Sequence, residues 1–127
     1  MTNYFPVLKN DDNEMPIPEI WRDTFEKIVE ALRDGGFRLG GEVVGVRPVS
    51  QIDLDAIAKN IANYGCCLVS LSKETWDTSV CLWVDGYWDV LVDLYTKEEG
   101  ASDLVLAVRV YEEGSLFSFD IQSVYVP

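Results

Sequence analysis

The chain has 127 residues, of which 48% are hydrophobic and 12% aromatic; that is enough apolar side chain for a core and too much for a disordered segment. Asp and Glu total 22 against 10 Lys and Arg, a net charge of −12 that repels nucleic acid and anionic membrane and attracts basic partners. There is no histidine, which excludes Ser-His-Asp and Cys-His catalysis and histidine-ligated metal sites.

A length of 127 residues predicts a single domain, 1–127. No apolar run is long enough to span a membrane, and Met1-Thr2-Asn3-Tyr4 lacks the basic start of a signal peptide, so a cytoplasmic protein is expected. Cys66, Cys67 and Cys81 are odd in number and lie in apolar runs. They read as small core residues in a reducing compartment.

In chain order, residues 1–16 read as a flexible polar arm, with Tyr4, Phe5, Val7 and Leu8 tacked onto the core. Pro18 opens a helix to Asp34, since proline suits the first turn. Trp21, Phe25, Ile28 and Leu32 form its apolar stripe, and Gly35-Gly36 stops it. Phe37 to Val49 carries Gly40, Gly41 and Gly45 but neither a Walker pattern nor GxGxxG, so it reads as a short strand or an irregular connection. Ser50, three residues before Asp53, caps a second helix, Asp53 to Tyr64, with Leu54, Ile57 and Ile61 on one face and Gly65 at its end. Cys66 to Leu71 reads as a short buried strand, and Lys73 to Thr78 as a turn around Trp76.

The C-terminal half is a succession of strands. Asp85-Gly86 between two apolar, aromatic runs signals a two-residue hairpin turn, which sets Trp83 opposite Trp88. Trp88, Val90, Val92 and Leu94 then point one way and Tyr87, Asp89, Leu91, Asp93 and Tyr95 the other. Residues 103–112 alternate again, with Leu104, Leu106, Val108 and Val110 on one side. In the last strand, 116–126, Phe117, Phe119 and Ile121 differ in parity from Val124 and Val126, which calls for a bulge near Gln122-Ser123. The expected fold is α+β: two N-terminal helices packed on one face of an antiparallel four- to five-stranded meander sheet. Ile57, Ile61, Trp88, Leu106 and Phe119 belong to the core between them.

Two helices cover one sheet face. The second face holds Leu82, Leu91, Val105, Tyr87, Tyr95 and Tyr111 among Asp89, Asp93 and Arg109, a mixture suited to partner binding. The competing expectation is that Phe37 to Val49 or the N-terminal arm folds over it. Carboxylate pairs are poorly placed for hydrolysis, because Asp89 and Asp93 lie about 13 Å apart by strand rise. No catalytic residue, cofactor or metal is expected. A histidine-free enzyme using Asp, Glu, Tyr or Lys is the least favoured reading.

The run WDVLVDLYTKEEGASDLVLAVRVYEE, with the terminal FDIQSVYVP, resembles a family of small bacterial domains of unknown function that share a WxVxVDL(W/Y)TxEEGxSDLxL core. The likeness covers the C-terminal half well and the first 48 residues hardly at all. It implies an α+β fold and assigns no catalytic residue. Glu98 to Asp103 within that core reads as a structured turn, with Gly100 at positive φ and Ser102 or Asp103 bonded back to the backbone.

By type, a small acidic chain without catalytic groups resembles the immunity proteins of contact-dependent inhibition and other polymorphic toxin systems. That resemblance implies a basic protein partner, the cognate toxin domain, of the nuclease type. The expected contact residues are Tyr87, Asp89, Asp93, Tyr95, Glu98, Glu99, Tyr111 and Glu112, tyrosines as desolvated anchors and carboxylates for Arg and Lys. The alternative is a non-catalytic ligand-binding or scaffold domain.

Overall fold

A computed structural model of the protein describes residues 7–127, so the expected docking of Tyr4 and Phe5 lies outside the described residues. The fold is α+β, with five strands in the order β1-β2-β3-β4-β5, all antiparallel. They are β1 (Met15–Pro16), β2 (Val80–Val84), β3 (Tyr87–Thr96), β4 (Gly100–Glu113) and β5 (Leu116–Tyr125). The helices are α1 (Glu19–Arg33), α2 (Gln51–Tyr64) and a four-residue α3 (Thr75–Thr78).

The two long helices form where capping and periodicity place them. Pro18 precedes the first turn of α1, and at its end the Gly36 N–H reaches back to the Ala31 carbonyl, 2.9 Å. The Ser50 hydroxyl accepts the Asp53 N–H, 3.2 Å, which starts α2 two residues earlier than expected. Trp21 meets Trp88 edge-on at 5.2 Å, Phe25 meets Phe119 at 5.4 Å, and the Asn60 amide donates to the Val124 carbonyl at 2.9 Å. Both helices therefore lie on one face of the sheet. Of the expected core, Trp21, Phe25, Ile28, Leu32, Ile57, Trp88, Val90, Val92, Leu104, Leu106, Val108 and Phe119 are buried. Ile61 is half-buried, because α2 leans over β5 and leaves a groove on the side facing α1.

The hairpin register is as Asp85-Gly86 dictates: Trp83 faces Trp88, Leu82 faces Asp89 and Val84 faces Tyr87. Both turn residues have positive φ, +21° at Asp85 and +119° at Gly86. Between Ala107 and Val108 the register with β5 shifts by one, since Ser123 and Ile121 are their partners and Gln122 is the extra residue. That bulge returns Val124 to the core side, where it is wholly buried.

Three segments differ from the sequence reading, and a fourth takes one of its two alternatives. The arm is not loose throughout. Met15 and Pro16 pair with Cys81 and Val80 as β1, the Trp88 indole donates to the Leu8 carbonyl at 3.0 Å, and Lys9 pairs with Glu112 at 3.0 Å. Residues 37–49 hold a 3-10 turn, Phe37–Gly40, and a single parallel bridge, Val46 to Phe119, so of the two expectations it is the irregular connection that is found. The segment 66–71 makes one bridge, Leu68 to Thr96, and lies beside the part of β3 that β2 is too short to reach. Its cysteines differ accordingly: Cys66 is half-buried and Cys67 exposed, and only Cys81 is a core residue. Lys73 to Thr78 contains α3 instead of a simple turn, held by the buried Thr75, whose hydroxyl donates to the Asp93 carbonyl at 2.6 Å.

Each flank of the sheet is occupied. Pro16 and Asn10 lie against β2, and residues 67–69 and Ser79 against the end of β3. Along β5, Phe119 exchanges hydrogen bonds with Gly45 and Arg47 at 2.9 and 2.8 Å. Short or capped edges of this kind discourage strand addition by another chain. Among the described residues no helix is long and apolar enough to cross a membrane.

The open sheet face as candidate functional site

Alternation along β3 and β4 sends Tyr87, Asp89, Leu91, Asp93 and Tyr95, and Ala107, Arg109 and Tyr111, away from the helices. Neither long helix covers this second face, and α3 touches it only at its edge, through Asp93. A shallow basin of about 330 Å³ lies on it between Asp89, Ala107, Arg109 and Tyr125. Neither residues 7–16, the described part of the arm, nor residues 37–49 fold over it; from the latter the Arg47 side chain reaches across the β5 edge to Tyr111.

Two arginines organise one end of the face. Arg109 stands between Asp89 on β3 and Asp120 on β5 in the ladder, 3.8 Å from the Asp89 carboxylate. Its guanidinium lies 4.7 Å from the Tyr87 ring centre, and the Tyr87 and Tyr111 rings are 5.6 Å apart. Tyr111, Tyr87 and Asp89, in that order, favour the Arg109 charge and raise its pKa. Arg47 lies 4.2 Å over Tyr111, donates to the Ser118 hydroxyl at 2.7 Å, and pairs with Glu113 at 3.1 Å and Asp120 at 3.9 Å. Each arginine thus stacks on a tyrosine with a carboxylate beside it.

The other end is acidic. The Thr78 hydroxyl donates to the Asp93 carboxylate at 2.5 Å, which holds α3, with its Asp77 and the preceding Glu74, against β3. The Tyr95 phenol is pushed above its ordinary pKa by burial first, then by Glu74, Asp93 and Asp77. No cation lies over Tyr95 among the described residues.

Of the expected contact residues, Tyr87, Asp89, Asp93, Tyr95 and Tyr111 share this face, and three do not. Glu112, expected among the acids of the face and its adjoining turns, alternates to the helix side with Val110, opposite Phe117, and pairs with Lys9. Glu98 accepts the Cys67 N–H at 2.8 Å, and that bond, ahead of its own backbone N–H, holds its carboxyl below the usual range. Glu99 accepts the Tyr64 hydroxyl, which in turn accepts the Asp103 N–H at 3.2 Å. Both turn acids tie the β3–β4 turn to the end of α2 and the segment after it. Within the same turn the Ser102 hydroxyl donates to the Leu94 carbonyl at 2.7 Å, and Gly100 has φ +73°. The EEGASD run is thereby used in closing the fold. Arg47 was absent from the sequence-derived site. It sits in an irregular connection with no periodicity to announce its direction.

Among the described residues no group of three or more Cys, Asp or Glu side chains is placed to hold a metal ion. A second concavity of about 260 Å³ lies between α1 and α2, lined by Leu32, Leu54, Ile57, Ile61 and Cys66. The model of the DUF7668 family, a domain of unknown function, matches residues 29–127. That span contains the whole open face and begins inside α1. No curated protein and no solved structure matches the chain.

Proposed function

We propose that the chain, which belongs to the DUF7668 family, is a stoichiometric protein-binding inhibitor: an immunity protein that neutralises a basic toxin domain of the nuclease type in the cytoplasm. The observation that carries this reading is the uncovered tyrosine-carboxylate sheet face on a molecule of net charge −12. Tyrosine rings give large contact area with little side-chain entropy to lose, and acids around them pair with the Arg and Lys of a nucleic-acid-binding surface. Capped sheet edges favour face-to-face docking over strand addition. No catalytic step is assigned to any residue.

The test is co-expression with the C-terminal domain of a toxin encoded beside it. Protection of the host and a one-to-one complex on size exclusion are the expected results. Absence of both protection and complex would sink the reading. The apolar groove between α1 and α2 supports a second reading, a non-catalytic ligand-binding or scaffold domain. Under that reading the gene lies in a metabolic operon, and an apolar ligand shifts the amide signals of Leu54 and Ile57 rather than those of Asp89 and Tyr95.

A further inference from the structure

The open face carries three tyrosines whose surroundings can be compared directly. Tyr87 has Arg109 at 4.7 Å with Asp89 beside the guanidinium, and Tyr111 has Arg47 at 4.2 Å with Glu113 and Asp120 beside it. At both, the chain itself supplies an arginine to a ring flanked by carboxylates. Tyr95 has the ring and the carboxylates: Asp93 on its own strand, and Asp77 and Glu74 on and beside α3, which Thr75 and Thr78 fasten to β3. None of these three acids has an ion-pair partner among the described residues. Tyr95 is separated from Tyr87 by eight residues of strand, about 26 Å, so neither Arg109 nor Arg47 serves it.

We propose that the Tyr95 end of the face receives an arginine side chain of a protein partner, stacked on the ring and paired with Asp93, Asp77 and Glu74. The inference rests on the reading of this face as the partner-binding surface and adds a direction to it. The arginine-bearing end, whose acids already have cations, contributes tyrosine contact, and the Tyr95 end contributes charge. A guanidinium fits better than an ammonium, because it stacks flat on a ring while its edge reaches carboxylates on either side.

The experiment needs no toxin. The full chain, labelled with nitrogen-15, is titrated at low salt with the acetylated, amidated peptide Gly-Arg-Gly-Arg-Gly, and with its lysine counterpart. The largest amide shifts are expected at residues 74–78 and 93–96, with tighter binding of the arginine peptide. Tyr95→Leu should weaken that binding about two- to fivefold, the worth of one exposed stacked cation. Asp77→Asn, on an exposed position, should weaken it without touching the strand. Shifts spread over acids elsewhere, such as Asp11, Asp12 and Asp23, would overturn the inference. So would affinity unchanged in Asp77→Asn and in a Tyr95→Leu protein of native spectrum. A peptide that seats here while the neighbouring toxin domain fails to bind would count against the immunity reading alone.

Discussion

The three cysteines show how far one residue type is set by its surroundings. Burial pushes the Cys81 thiol up to about 11, and burial first, then Glu98, raises that of Cys66. Cys67 is exposed. With a disulfide reagent at pH 8, Cys67 should react first, Cys66 more slowly, and Cys81 only as fast as the protein unfolds. Because the Cys81 thiol ionises less readily folded than unfolded, its contribution to stability is complete below the ordinary value of 9.0 and is lost as pH rises towards about 11. Urea unfolding between pH 8 and 11 checks this: the decline should be shallower in Cys81→Ala. Glu98 has the opposite sign. Its carboxyl is depressed by the Cys67 N–H, so its contribution is present above the ordinary 4.5 and lost as pH falls below it. Glu98→Gln should lower the melting temperature at pH 7 and flatten its fall in acid. An unchanged acid limb would mean that the turn does not depend on this charge.

At the scale of elements, β3 and β4 are buried on one side by an alternation that Val105, buried on the other side, interrupts, and Leu106 is fully enclosed. Leu106→Ala should cost about 2–5 kcal/mol in chemical denaturation, the usual range for a core truncation. Gly86→Ala tests the hairpin separately. At φ +119° nothing lies within 4 Å of an added Cβ, so the cost is one of backbone alone, about 1–2 kcal/mol. Strands β2 to β5, both long helices and the Gln122 bulge were legible in the sequence because each is written in a local period or cap. Parity also placed Tyr87, Asp89, Asp93, Tyr95 and Tyr111 on one surface. What stayed hidden depends on contacts distant in sequence. Met15-Pro16 becomes a strand only because Val80 and Cys81 present an edge, and 66–71 makes no ladder beyond the Leu68–Thr96 bridge because Thr75 and Ser79 already hold the Asp93 carbonyl and N–H. Glu98 and Glu99 are adjacent acids in a turn, and nothing local announces that Cys67 and Tyr64 will claim them.

At the scale of the molecule, charge and topology act together. Helices on one side leave the other face to solvent, and residues 85–127, which form most of that face, hold nine acids and two bases. A field of this sign accelerates the approach of a basic surface, while desolvated rings hold it once docked. The two contributions separate kinetically. Asp89→Lys combined with Asp93→Lys should slow association with the cognate toxin domain and weaken the salt dependence of the association rate, because two acidic charges on the face are reversed. Alanine at Tyr87 or Tyr95 should instead speed dissociation, since a ring lost from a packed interface no longer excludes water there. Stopped-flow binding at several ionic strengths resolves both, with circular dichroism to verify the fold. Asp89→Lys also sets a second cation beside Arg109, so Asp89→Asn is the control that removes charge without adding repulsion. If the double-lysine protein associates at the parental rate with its fold intact, the partner docks on the helix side, and the groove between α1 and α2 becomes the surface to mutate.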